Sequence, residues 1–321
     1  MHNCFMNIDH VKALAAVVDE GTVEGGAFVL GVTPSATSQR IRTLESRIGQ
    51  VLVRRTNPIT VTEAGEAVLK YAREIELLES ETMDRLHGID VGAPDGVGSA
   101  PAHRRRRVPT VLRIGVNADS LATWFRPIFA EVAKWDDIVI RIEVADQNVA
   151  LPLLTSGEVL GTITSAASGG YGTQVQRLGS MRYVAVASKG LLSRHRGLGG
   201  QVGSGEIRSG TDAEVDLGSL PMVNFGKDDD LQFAFLRRVG ITGIPPMSVV
   251  PSSSEFAVAV EAGVGWGLIP IVQLGDLSDD LVPISADPTI DVDLYWHHWN
   301  LASEKLGRLT EALHRAAAQM R

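Results

Sequence analysis

Residues 88–110, GIDVGAPDGVGSAPAHRRRRVPT, interrupt every hydrophobic period in the chain. Before them, apolar residues recur at helical spacing; after them, short β-like runs alternate with helical stretches. A stretch this rich in Gly, Pro and Arg reads as a linker. One core cannot serve both flanks, so the chain must fold as a small helical part and a larger α/β part. Its 321 residues are long enough for that division.

In the first part, Ile8, Val11, Leu14, Ala15 and Val18 predict a helix that Gly21 stops. Thr22 is placed to cap a second helix running to Leu30, and Gly31 makes a tight turn. Thr33 is an N-cap and Pro34 takes the first helical position, where its missing N–H costs nothing. That third helix runs to Ile48, before Gly49. Two helices joined by a short Gly-containing turn are the helix-turn-helix pattern. At 100° per residue, Thr37, Ile41, Leu44 and Ile48 form one stripe that faces the core. The opposite side carries Ser35, Gln39, Arg42 and Ser46, with Ser38 and Arg40 flanking. Reading base edges in a major groove requires such groups at a helix N-terminus. A solvated helix face uses the same residues, and periodicity leaves both readings open.

Val51–Val53 and Ile59–Val61 read as two short strands around the Asn57-Pro58 turn. They make a wing whose Arg54 and Arg55 can meet phosphates. Between Thr33 and Arg55 there are five arginines and one acid, a local excess of +4 in a chain of net charge −8. The net charge excludes a surface that is basic throughout, but phosphate contacts need only such a patch. With 44% hydrophobic and 21% charged residues the chain is globular, not disordered.

A long helix starts at Thr62-Glu63. Ala64, Val68, Tyr71, Ile75, Leu78 and Thr82 alternate spacings of four and three, a short heptad seam. The seam fits pairing with a second copy, or packing onto its own domain. From Val111 the strands read as Val111–Val116, Ile138–Val144, Val159–Thr164, Tyr183–Ala187, Met222–Phe225, Trp266–Ile269 and Leu294–Trp299. The helices read as Leu121–Lys134, Val149–Ser156, Leu231–Val239, Glu255–Ala262 and Glu304–Met320. Strands separated by helices predict parallel sheets with helices on both faces. Residues 194–216 form a Gly/Ser-rich loop.

The run TPSATSQRIRTLESRIGQVLVRRTNPITVTEAGE resembles the winged helix-turn-helix of LysR-type transcriptional regulators. The runs RIGVNADSLATWFRP, MRYVAVASKGL, PMVNFGKDDDLQ and GVGWGLIP resemble the branch of that family that senses basic amino acids, the ArgP/LysG type. The resemblance implies an α/β protein with an all-α-type N-terminal part. A winged domain (1–62) would be followed by a linker and dimerisation helix (63–87), the flexible linker (88–110) and a two-subdomain region like a periplasmic binding protein (111–321). It implies double-stranded operator DNA, a basic amino acid as effector and further copies of the chain as partners, with RNA polymerase as another candidate. The expected role is control of an amino-acid exporter gene, as activator or repressor. Another metabolite, or replication-origin DNA, is the alternative within the family.

The DNA-reading residues expected are Thr33, Ser35, Ser38, Gln39, Arg40, Arg42, Arg54 and Arg55. Two features depart from the family. The second helix, VEGGAFVLG, carries Gly25 and Gly26, each costing about 1 kcal/mol of helix propensity relative to Ala. Glu24 adds a negative charge there. Arg104–Arg107 form either a solvated charge run or an auxiliary phosphate contact.

In the family the effector sits between the two α/β subdomains. Asn117-Ala118-Asp119-Ser120 ends a strand and opens a helix, where a carboxylate is welcome. Ser120 is placed to cap that helix, with Thr123 and Trp124 on its first turn. Asp146 follows the second strand at its carboxyl edge, where open sheets bind ligands. Asn224, the Asp228–Asp230 run, and Ser252, Ser253 and Ser254 supply a second set of groups. Each has a plain capping alternative.

No G-x-S-x-G elbow, P-loop or H-E-x-x-H helix occurs, so neither an enzyme nor a cofactor is expected. Cys4 is the sole cysteine, and His297 and His298 point to opposite faces of a strand, so no metal is expected either. The first ten residues lack the basic and apolar segments of a secretory signal and no run is long enough to span a bilayer, which predicts a cytoplasmic protein without membrane contact. The remote alternative is a solute-binding protein or an enzyme built on the α/β part.

Overall fold

The computed structural model describes residues 6–89, 109–170, 172–195, 216–227, 229–277 and 279–320. Cys4, Arg104–Arg107, Asp228 and most of the 194–216 loop lie outside the described residues.

Three helices open the chain: α1 (Ile8–Glu20), α2 (Val23–Leu30) and α3 (Pro34–Ile48). Their ends obey local chemistry. Asn7, Thr22 and Thr33 each cap a helix through a side-chain oxygen that accepts a backbone N–H. Gly21, Gly31 and Gly49 close the helices at φ of 66°, 65° and 78°, which an L side chain resists. On α3, Thr37, Ile41 and Leu44 are buried and Ile48 is half-buried, while Ser35, Gln39, Arg42 and Ser46 are exposed. The wing is β1 (Val53–Arg54) and β2 (Thr60–Val61), two paired residues each. It is shorter than the apolar runs suggest because Leu52 turns fully into the core while Glu45 accepts its N–H at 2.9 Å.

The glycines of α2 have a tertiary cause. A Cβ on Gly26 would lie 2.7 Å from Val17 Cγ2 and 2.8 Å from Val17 N, so α1 and α2 cross in near backbone contact.

Helix α4 (Glu63–Ile89) leaves the wing and extends two residues beyond the expected boundary at 87. Val68, Leu69 and Ala72 join Val11, Leu14 and Leu44 in the N-terminal core, and Ala64 packs against it. The first part of the seam therefore packs on its own domain. Further along, Leu77 enters the core of the α/β part, whereas Leu78, Met83 and Leu86 are exposed.

The α/β part runs β3 (Thr110–Val116), α5 (Ala118–Ala122), α6 (Arg126–Val132), β4 (Ile138–Val144), α7 (Gln147–Ser156), β5 (Gly161–Thr164), β6 (Thr173–Ser188) and α8 (Lys189–Arg194). It continues with β7 (Met222–Asn224), α9 (Leu231–Arg238), β8 (Met247–Val249), α10 (Ser253–Glu261), β9 (Gly267–Pro270), α11 (Ile271–Leu274), β10 (Leu281–Pro283), β11 (Thr289–Trp299) and α12 (Glu304–Ala317). The expected helix 121–134 is two helices. Pro127 offers no N–H to continue the ladder, and Trp124 and Phe125 are buried at the break.

Among the described residues, parallel strand pairing joins β3 with β4, β3 with β5, and β7 with β8, with one further parallel bridge between Met222 and Trp266. The expectation of wholly parallel sheets fails because β11 runs antiparallel to β6 over its full length, against Thr173–Val184, and β9 and β10 pair antiparallel with β6. These two long strands pass between the subdomains. One end of β11 pairs with β5, while the C-terminal half of β6 carries β9 and β10. The register shifts between Leu294 and Tyr295, near the crossing. Sequence patterning misses half of β6 because Thr173–Ser180 is only partly buried and has no apolar run. Helix α12 covers the first subdomain with Leu306, Leu309 and Leu313, over Trp296 and Trp299.

Candidate functional site

A cavity of about 340 Å³ lies between the subdomains. The first contributes the C-terminal ends of its parallel strands, where backbone and helix termini face outward. After β3, Asn117 Oδ1 accepts the Ser120 N–H at 2.7 Å and sets the start of α5, which aims Asp119 at the cavity. After β4, Asp146 holds the N-cap position of α7 without a side-chain cap hydrogen bond. The second subdomain contributes Tyr183 from β6, Asp229 before α9 and Ser253 at the start of α10. Phe225, Leu231, Phe256, Leu268, Pro270 and Leu294 form apolar walls.

Four of the polar groups, Tyr183, Asp119, Ser253 and Gln273, form one chain of hydrogen bonds. Tyr183 Oη donates to Asp119 Oδ2 at 2.8 Å, and Ser253 Oγ donates to Asp119 Oδ1 at 2.6 Å. Gln273 Nε2 donates to Ser253 Oγ at 3.0 Å. Asp229 accepts from the Leu231 and Phe225 amides at 3.1 and 3.3 Å. Asp119 thus bridges the two subdomains, since both hydroxyls come from the far side.

Four aspartates line one small space, Asp230 being the exposed one paired with Arg237, and among the described residues no lining side chain is a lysine or arginine. Burial pushes the Asp119 carboxyl above its ordinary value, against the lowering effect of the Ser253 and Tyr183 hydrogen bonds; Asp146 adds repulsion. Burial likewise raises Asp229, with Asp119 and Asp146 contributing. Tyr183 is held well above the usual phenol range by burial and by the neighbouring Asp119. The cavity is therefore an anionic hole with apolar walls, and its described lining carries no cation.

Of the residues expected at an effector site, Asp119, Asp146, Asp229, Asp230 and Ser253 line this cavity. Several others are placed elsewhere. Ser120 does not cap α5. It is fully buried, and its hydroxyl accepts from Trp124 Nε1 at 3.0 Å. Trp124 belongs to the hydrophobic core. The Thr123 hydroxyl donates to the Asp119 carbonyl. Ser252 donates to Glu255, and so turns away from the cavity. Asn224 is buried and organises the following loop, donating to the Gly226 carbonyl at 2.6 Å. Asp228 lies outside the described residues, and Asp230 pairs with Arg237. Sequence reasoning did not find Tyr183, Gln232 or Gln273. A lone phenol in the aliphatic run YVAVA was the available signal for Tyr183; the glutamines gave none.

The N-terminal domain presents its polar groups together. Ser35, Gln39 and Arg42 on α3 are exposed, as are Arg54 and Arg55 on the wing, with Ser38 and Arg40 half-buried. Thr33 is exposed, though its hydroxyl already accepts the Ala36 N–H at 3.2 Å. A cleft of about 560 Å³ runs between α3 and the wing, with Arg42 and Arg55 at its sides. His297 and His298 are buried and bonded to the Ala166 and Trp299 carbonyls at 2.7 and 2.8 Å. Burial holds both below the usual imidazole range. Among the described residues no helix is long and apolar enough to cross a membrane.

Comparison with known proteins agrees with this architecture. Residues 8–66 match the bacterial regulatory helix-turn-helix proteins of the lysR family. The lysine export transcriptional regulatory protein LysG of Corynebacterium efficiens is 38% identical over 316 residues, 97% of this chain and 98% of that one. The structure of full-length LysG from Corynebacterium glutamicum with bound effector Arg is 35% identical, with a TM-score of 0.70 over 98% of this chain and 99% of that one. ArgP from Mycobacterium tuberculosis is 32% identical, with a TM-score of 0.73 over 97% of each chain. The chain therefore belongs to the lysR family of bacterial regulatory helix-turn-helix proteins, and it is a transcriptional regulator, not an enzyme.

Proposed function

We propose that this regulator binds operator DNA through α3 and the wing and responds to a basic amino acid held between the subdomains. The observation that carries the effector reading is the trio Asp119, Asp146 and Asp229 in one cavity whose described lining includes no cation. A guest with ammonium or guanidinium groups supplies the positive charge that this lining lacks. The aliphatic stem of such a guest suits the Phe225, Phe256 and Leu268 walls. Support comes from the Corynebacterium glutamicum structure, described with arginine as its effector.

For DNA, the support is a basic, hydrogen-bonding face on a capped helix next to an arginine-bearing wing. Exposed Leu78, Met83 and Leu86 on α4 offer a surface for a second copy, and two half-sites require two winged domains. Acting on DNA, the protein works in the cytoplasm. Control of an amino-acid exporter gene is supported by the name of the Corynebacterium efficiens relative.

The test is a thermal-shift screen of the twenty amino acids followed by calorimetry. Lysine, arginine or histidine should stabilise the protein selectively, by about 2.7 kcal/mol at one hundred times the Kd. Stabilisation by a neutral or acidic amino acid instead would point to another metabolite and sink the assignment.

A further inference from the structure

The last two residues of α1, Asp19 and Glu20, touch the α/β part of the same chain. Asp19 accepts from Arg113 on β3, and also from Arg73 on α4, whose Nη1 lies 3.0 Å away. Glu20 pairs with Arg141 on β4 at 3.5 Å. Arg113 and Arg141 are direct partners in the parallel β3–β4 register, so both side chains stand on one face of the sheet. Two adjacent arginines on a sheet thus meet two consecutive acids at a helix end. The inner pair is well buried, with side-chain exposures of 12% for Asp19, 12% for Arg113 and 3% for Arg73. Asp19 is the carboxylate between two guanidiniums. Burial and the neighbouring Arg73 bring Arg113 down to about 10.

The same two strands end at the cavity. β3 runs from Arg113 to Val116 and delivers Asp119; β4 runs from Arg141 to Val144 and delivers Asp146. Each strand therefore carries at its middle an arginine holding the winged domain and leads at its C-terminal end to an aspartate facing the cavity. Each arginine is separated from the end of its strand by three residues, about 10 Å at roughly 3.3 Å per residue. Hydrogen-bonded strands in a packed core shift as units and do not bend freely.

We propose that Asp19–Arg113 and Glu20–Arg141 form a latch that passes the occupancy of the cavity to the DNA-reading domain of the same subunit. The proposal rests on the effector reading above for what fills the cavity. A cation there draws the Asp119 and Asp146 ends of β3 and β4 together, and the Arg113–Arg141 row moves with them. Because α1 packs on α2 and α3, a change at the end of α1 re-aims the recognition helix. Occupancy acts only if the two latch geometries differ in effector affinity, and the coupling is then reciprocal.

The experiment measures operator affinity of the full-length protein with and without saturating lysine or arginine, and effector affinity by calorimetry. Glu20 and Arg141 are the half-exposed pair, so Glu20→Gln and Arg141→Gln test the latch with little risk to folding. In wild type the effector should change operator affinity by about fivefold or more. In each single variant that ratio should fall to within about twofold of one, with effector affinity of the DNA-free protein kept. The charge swap Glu20→Arg with Arg141→Glu should restore it. Single variants that keep the full response, or a loss that the swap does not rescue, overturn the latch. If wild type binds no basic amino acid, the effector reading fails instead. The latch is then judged by spin-label distances between α1 and α7: a broader distribution in Arg141→Gln supports it and an unchanged one overturns it.

Discussion

Gly26→Ala separates local propensity from tertiary packing, because the two predict opposite signs. Within a helix, Ala is favoured over Gly by about 1 kcal/mol, so α2 taken alone gains from the change. In the folded chain the new methyl would lie 2.7 Å from Val17 Cγ2, 2.8 Å from Val17 N and 2.9 Å from Val17 Cα. Comfortable carbon contacts begin near ~3.5 Å, so α2 must retreat by roughly 0.8 Å. Two of the three obstacles are backbone atoms that cannot rotate away, and Val17 is fully buried against Ile41 and Ala13. Overpacking of this kind costs about 1–3 kcal/mol, and its upper range applies here. The expected result is a net loss of about 1–2 kcal/mol after the helix gain. Gly307→Ala is the internal control. Gly307 is an exposed position of α12 with nothing within 4 Å of an added Cβ, so the same substitution should stabilise there by about 0.5–1 kcal/mol. Urea unfolding of both variants and wild type, followed by helix signal, gives the comparison. The winged domain of Gly26→Ala should unfold earlier, and operator affinity should fall because α3 packs on the same α1 surface. A Gly26→Ala protein stabilised like Gly307→Ala would refute the packing argument.

Three further outcomes follow from the site. Effector affinity should fall as the medium is acidified, beginning above the ordinary aspartate value of about 3.9. Asp119 and Asp229 are raised in the cavity, protonate first and lose their attraction for a cation, so binding must release protons. Calorimetry in buffers of different ionisation enthalpy checks this, and proton uptake on binding would contradict it. Asp146→Ala should abolish the effector response while leaving operator binding intact; a normal lysine and arginine response in a gel-shift titration would remove Asp146 from the site. Arg42→Ala should weaken operator binding by about 1–3 kcal/mol and relax base choice at one position. Unchanged affinity in the same titration would exclude that contact.

The N-terminal domain was legible because its signals are local. Caps at Thr22 and Thr33, glycines at 21, 31 and 49 and the Thr37–Ile41–Leu44 stripe each act within one or two turns. The strand ends carrying Asp119 and Asp146 were legible for the same reason. Inside α5 the local reading named the wrong cap. Asn117 and Ser120 are both competent, and the buried Trp124 indole engages the Ser120 hydroxyl.

Sequence by itself determined a helix-turn-helix, a wing, a long helix and an α/β region, since these follow from hydrophobic period and backbone chemistry. Tertiary structure alone decided that β6 and β11 pair antiparallel across both subdomains, because strand pairing joins residues more than one hundred positions apart. It alone placed Tyr183, Asp229 and Gln273 around Asp119. It also turned two unfavourable helix glycines into the condition for α1–α2 contact. Local patterns fix which elements form, whereas the groups that meet across a cavity are chosen by packing, which no single stretch of sequence records.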